Sequence, residues 1–157
     1  MEKVTRIASF SVNHDLLDEG IYVSRIDGDV VTYDLRTRVP NGGDYMTNIA
    51  MHSVEHMFAT YIRNGAIGDR VIYFGPMGCR TGFYLLVRSA KNEEVLAAVL
   101  ECLRRIIEHD GEMFGKSRVE CGNYLELDLL EAKRECERYL SVLLSREQSF
   151  KYRGTDE

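Results

Sequence analysis

Residues 21–39, IYVSRIDGDVVTYDLRTRV, decide what kind of fold this chain can adopt. Two runs rich in β-branched and aromatic residues flank Asp27-Gly28, a dipeptide suited to the tight turn of a hairpin. The reading is a strand over 21–26, a turn, and a strand over 30–39. Along the second strand Val31, Tyr33, Leu35 and Val39 fall on one face, with Asp34, Arg36 and Arg38 on the other. Such alternation describes a sheet with one apolar side turned to a core and one polar side turned away.

Pro40-Asn41-Gly42-Gly43 reads as a loop, after which a helix begins near Thr47 or Asn48, either of which can be its N-cap. Asn64-Gly65 is a fitting C-cap pair, and Ile49, Val54, Met57, Phe58, Tyr61 and Ile62 give the helix a broad apolar stripe. Residues 70–74 and 81–88 read as two more strands, split by Gly75-Pro76-Met77-Gly78-Cys79. Asn92 is expected to cap a second helix from Glu93 to about His109, stopped by Gly111, and a third helix runs from about Asp128 to Ser145. This order predicts an α+β fold: a mostly antiparallel sheet packed against about three helices, forming a single-domain two-layer sandwich. One domain is expected over residues 1–157, with 149–157 a frayed polar tail.

At 157 residues the chain can bury a real core without staples. Its 45% hydrophobic and 29% charged residues are those of an ordinary globular protein. A net charge of −5 with no Lys/Arg cluster gives no pull on phosphate backbones, so nucleic acid is not expected as a partner. The first residues, MEKVTRIASFSVNHDLL, lack the apolar core of a signal peptide, and no later run is long enough to span a bilayer. The expectation is a cytoplasmic protein, unattached to membranes, whose four cysteines stay reduced.

Two of the four histidines sit in HSVEH, residues 52–56. On a helix His52, Glu55 and His56 share a face, so two imidazoles could grip one metal ion beside a carboxylate able to move protons. A chance cluster on a solvated face reads equally well from this segment alone. Cys102 and Cys136 fall in register with apolar helix positions and read as small core residues. Cys79 and Cys121 lie instead in glycine-containing irregular segments, where binding residues concentrate and where buried, inert thiols also occur. A catalytic metal site needs three protein ligands and an open position, a number that His52, His56 and one of these cysteines would meet. The other cysteine, near a cation, could then act as base or nucleophile.

HSVEH, the segment GPMGCRTGFYLLV (75–87) and CGNYLELDLLEAK (121–133) occur in the order and spacing of a known family. From about Ser9 to Arg146 the chain resembles the S-ribosylhomocysteine lyases, the LuxS family. The resemblance implies a homodimer of α+β subunits with active sites at the subunit interface. It implies His52, His56 and Cys121 as metal ligands, with water or substrate completing a tetrahedral iron(II) site that zinc or cobalt could also fill. It further implies Glu55 and Cys79 as proton-transfer residues, and Ser9, His14 and Arg36 as substrate-binding residues. Many members carry aspartate where this chain has Tyr73 and Asn13; both replacements remove a carboxylate.

The implied reaction cleaves S-ribosylhomocysteine to homocysteine and 4,5-dihydroxy-2,3-pentanedione, an autoinducer precursor, which links quorum sensing with homocysteine recycling. The substrate carbonyl must migrate along the ribose before the carbon–sulfur bond can break, and each migration needs a base and an electrophile. Two other readings compete. HxxEH also marks certain metallopeptidases, with Glu120, Glu126 or Glu131 as third ligand. A non-catalytic metal module, closed by Cys79 as a fourth ligand, is the other.

Overall fold

The computed structural model describes residues 3–154. A four-residue helix, α1 (Ala8–Ser11), precedes the hairpin of β1 (Gly20–Asp27) and β2 (Val30–Arg36). Gly28, at φ 61°, adopts the left-handed conformation that the turn requires. Then follow α2 (Asn48–Arg63), β3 (Val71–Pro76), β4 (Gly82–Arg88), α3 (Asn92–Ile107) and α4 (Leu129–Leu144). The strands form one antiparallel sheet in the order β1-β2-β4-β3, and the three long helices pack against one another and the sheet. The architecture is the α+β sandwich expected.

The strand alternation sets where the core lies. Tyr33 and Leu35 of β2 pair with Leu85 and Phe83 of β4 and point into the helical layer, where all four are buried. Asp34 and Arg36 point to the other side. That outer face is not open to solvent as the polar pattern suggests: Asp34 is 1% exposed and Arg36 3%. The residues that cover them come from both ends of the chain.

Helix starts follow their capping chemistry. Thr47 Oγ1 accepts from Ala50 N at 3.0 Å to open α2, and Asp128 Oδ1 accepts from Leu130 N at 3.0 Å to open α4. The expected Asn92 cap is corrected. Asn92 is the first residue of α3, Lys91 stands at the cap position, and the Asn92 side chain accepts from Tyr33 Oη at 2.8 Å. The second strand also stops short of Val39, because Thr37 N and Arg38 N both turn to Thr81 O, at 2.9 and 3.0 Å. Val39 is exposed beyond this clamp.

The expected frayed tail is corrected over its described part. Phe150 is buried and bridges Tyr22, and Val23 N donates to Phe150 O at 2.9 Å. Residues 155–157 lie outside the described range. Cys102 and Cys136 are core residues, and burial pushes both thiols up, which keeps them protonated. No helix among the described residues is long and apolar enough to cross a membrane.

Leu85 is fully buried opposite Tyr33. Leu85→Ala is expected to lower the free energy of unfolding by about 2–5 kcal/mol, measured by urea denaturation. A loss below about 1 kcal/mol would contradict this packing.

Candidate metal centre

α2 buries Ala50, Ser53, Val54, Met57, Phe58 and Ile62, which leaves His52, Glu55 and His56 together on a half-buried flank. The imidazole rings of His52 and His56 meet edge to face, with centroids 4.8 Å apart. The segment between α3 and α4 folds against this flank and brings Cys121 to His52, Sγ to Nε2 at 3.4 Å. One ligand atom from each of His52, His56 and Cys121 lies within 4.8 Å of the other two.

The donor chemistry fits a metal ion. His52 Nδ1 is engaged by Glu126 Oε2 at 2.8 Å, and His56 Nδ1 by Phe114 O at 3.0 Å. Each acceptor holds the proton on Nδ1 and leaves Nε2 free to ligate. Two imidazole nitrogens and a thiol make a borderline-soft set of three, the number that catalytic zinc sites use. Asn123 ties the set together: its backbone N donates to Cys121 Sγ at 3.4 Å, and its Nδ2 donates to Glu126 Oε2 at 3.2 Å.

The 111–126 segment can approach α2 because of Gly115, at φ +67°. A Cβ there would stand 2.8 Å from His56 Nδ1, inside contact distance. Phe114 packs its ring edge-on against Tyr61 and His109, centroids 5.1 and 4.8 Å away, which fixes the carbonyl that orients His56.

Ser9, His14, Arg36 and Cys79 meet elsewhere. They line an open cavity of about 370 Å³ on the outer face of the sheet, together with Asp34, Tyr84 and Tyr152. No residue of α2 or of the 111–126 segment lines it. Arg36 grips Asp34 by two nitrogens, Nε to Oδ1 at 3.1 Å and Nη2 to Oδ2 at 2.6 Å. Its Nη1 donates to Thr81 Oγ1 at 2.8 Å and reaches Cys79 Sγ at 4.0 Å. Burial pulls the guanidinium down, but the charge and hydrogen bonds of Asp34 outweigh this and its pKa ends raised, so Arg36 is a fixed cation. Cys79 Sγ also lies 3.1 Å from Thr81 Oγ1.

The two departures from the resemblance have local explanations. Asn13 Oδ1 accepts from Asp15 N at 3.1 Å and so caps the short turn that presents His14, work that an aspartate would do equally well. Tyr73 folds back over Gly75, where its hydroxyl occupies the space a Cβ would need, and it lines a second outer-face cleft with Ser9 and Tyr84.

Against this geometry the family comparison is specific. The family model described as S-ribosylhomocysteinase (LuxS) matches residues 7–150. The chain belongs to that family. It is similar to the S-ribosylhomocysteine lyase of Finegoldia magna, 44% identical over 145 residues that cover 89% of this chain and 92% of the relative. The S-ribosylhomocysteine lyase of Desulfotalea psychrophila is 41% identical over 145 residues, 88% of this chain and 91% of the relative. That of Borreliella burgdorferi strain B31 is 39% identical over 154 residues, 94% and 98% of the two chains.

Family membership and geometry together weaken the competing readings. Glu126 holds His52 Nδ1 and stands behind the donor set, where the peptidase reading would make it a third ligand. Among the described residues Cys79 is not grouped with the three donors, so it does not close the site as a fourth. Sequence reasoning gave no role to Phe114, Gly115, Asn123, Thr81, Tyr84 or Tyr152. The one available signal was CGNYLE itself, which places a carboxylate five residues after a candidate ligand.

Glu126→Ala is expected to weaken divalent-metal binding about 10–100-fold, read by competition with a colorimetric chelator. Cys121→Ala should weaken it further. A Cys121→Ala protein that holds metal as tightly as the parent would overturn the donor set.

Proposed function

We propose that this chain is an S-ribosylhomocysteine lyase that uses one divalent metal ion per subunit to release homocysteine and 4,5-dihydroxy-2,3-pentanedione. The convergence of His52, His56 and Cys121 in a chain of this family carries the reading. The family resemblance points to iron(II), and the mixed nitrogen and sulfur donors would take zinc or cobalt as well. Such an ion, held by these three residues, supplies Lewis acidity toward a substrate oxygen.

The protein's own groups handle binding and protons. The ribose carbon C5 carries the sulfur, so elimination requires an acidic proton on C4 and therefore a carbonyl at C3. Protons must first be taken and returned at successive carbons, which one fixed base reaches poorly. Glu55, on the flank of α2 beside the donors, is one base at its carboxylate. Cys79, presented with Thr81 at the rim of the outer cavity, is the other at Sγ. In the last step a base takes the C4 proton, a C4=C5 double bond forms, and the C5–S bond breaks. The homocysteine thiolate then takes up a proton, and the enol product tautomerises to the dione. Ser9, His14 and the fixed cation Arg36 bind the substrate in the cavity that Cys79 shares.

One protomer holds the two bases on different faces: Glu55 with the helices and Cys79 on the outer side of the sheet. A homodimer in which the outer cavity of one chain meets the donor flank of the other unites them. Apolar side chains exposed at this side, Ile7, Phe10 and Tyr73, support burial against a second copy. Four free cysteines, two of them at the proposed site, suit a reducing cytoplasm. The dione product gives the protein a place in autoinducer synthesis and homocysteine recycling.

Under anaerobic conditions, metal-loaded protein given S-ribosylhomocysteine should release free thiol, detected with a disulfide dye, and chelation should abolish the release. Cys79→Ala and Glu55→Gln should each keep the metal and lose at least about 100-fold in turnover. Absence of thiol release from protein shown to hold metal would refute the lyase reading.

A further inference from the structure

The family match ends at residue 150, yet the chain continues as an ordered strap over the sheet. Ile21 N donates to Gln148 Oε1 at 3.2 Å, Val23 N to Phe150 O at 2.9 Å, and Arg153 Nη2 to Asp18 Oδ2 at 2.8 Å. Between these anchors the strap delivers Tyr152 into the cavity lined by Ser9, His14, Arg36 and Cys79. The Tyr152 ring stacks on Tyr22, with centroids 5.0 Å apart and planes 21° from parallel.

The Tyr152 hydroxyl donates to Asp34 Oδ2 at 2.7 Å. Asp34 is 1% exposed, and a carboxylate so far from water is tolerable only when its oxygens are satisfied. Arg36 and Tyr152 do this together. Burial, and after it the charge of Asp34, push the Tyr152 phenol well above the usual tyrosine range, so the hydroxyl stays protonated and keeps donating. The same Arg36 that is locked against Asp34 turns its Nη1 to Thr81 and Cys79.

We propose that Tyr152 is a positioning residue: it locks the buried Asp34–Arg36 pair, and so fixes the Arg36 guanidinium that faces the substrate and Cys79. The strap thereby forms one wall of the substrate cavity. The link to substrate rests on the lyase reading; the lock on Arg36 does not.

Tyr152→Phe keeps the ring stack and removes only the hydroxyl, so two readouts test the proposal. By nitrogen-15 NMR, solvent exchange of the Arg36 Nε–H should accelerate about tenfold, the size expected for losing one hydrogen bond to a buried charge. By thiol release, KM for S-ribosylhomocysteine should rise about tenfold while kcat falls less than about threefold, because ground-state binding is what loosens. Unchanged exchange would overturn the lock. Faster exchange with an unchanged KM would overturn the cavity-wall role. A parent enzyme that releases no thiol would bring down the lyase reading, while the exchange measurement would still decide the lock.

Discussion

The candidate metal centre depends on how residues 111–126 are pinned to α2. Two histidines four apart on a helix are only potential ligands until a third donor arrives, and here it comes from a segment with little regular structure. Three contacts hold that segment. Glu126 accepts from His52, Phe114 O from His56, and Asp128 N donates to Ser53 Oγ at 2.8 Å, beside the start of α4. The same contacts that fix the loop fix the tautomers of both imidazoles, so folding of the segment and preparation of the donor set are one event. Gly115 allows the approach, since any side chain there would strike His56.

A second constraint separates the chemistry into two halves. Strand alternation sends Tyr33 and Leu35 into the core and Asp34 and Arg36 to the outer face. Arg36 therefore joins Cys79 at the outer cavity, while His52, Glu55, His56 and Cys121 belong to the helical side. β2 cannot turn Arg36 to the helical side without a register shift that would expose Tyr33 and Leu35. The proposed pairing with a second copy would join the halves without disturbing the core.

Much of this was legible from local chemistry. The Asp-Gly turn, the alternation of β2, the α2 cap at Thr47 or Asn48, the start of α4 near Asp128 and the HSVEH face all follow from rules that act within a few residues. What escaped depends on contacts distant in sequence. Asn92 has the chemistry of a cap, but its side chain is claimed by Tyr33, 59 residues earlier. The polar face of β2 looked solvated because nothing near it in sequence covers it, whereas Tyr152 does so from 118 residues away. Glu126 showed only as a carboxylate that could ligate; its role behind His52 appears once the loop is placed against α2. The polar tail looked unable to pack because composition does not reveal that Phe150 finds a slot beside Tyr22.

The most direct test of this two-faced arrangement is subunit mixing. Cys79→Ala and Cys121→Ala chains, each inactive alone, would be combined in equal amounts with divalent metal in excess, allowed to exchange subunits, and assayed for thiol release. If each active site joins the outer cavity of one chain to the donor set of another, about a quarter of the parent activity should return. Random pairing makes half of the dimers mixed, and each mixed dimer has one intact site. If no activity returns although mixed dimers form, both groups of residues must serve within a single chain, and the two-faced site would be wrong.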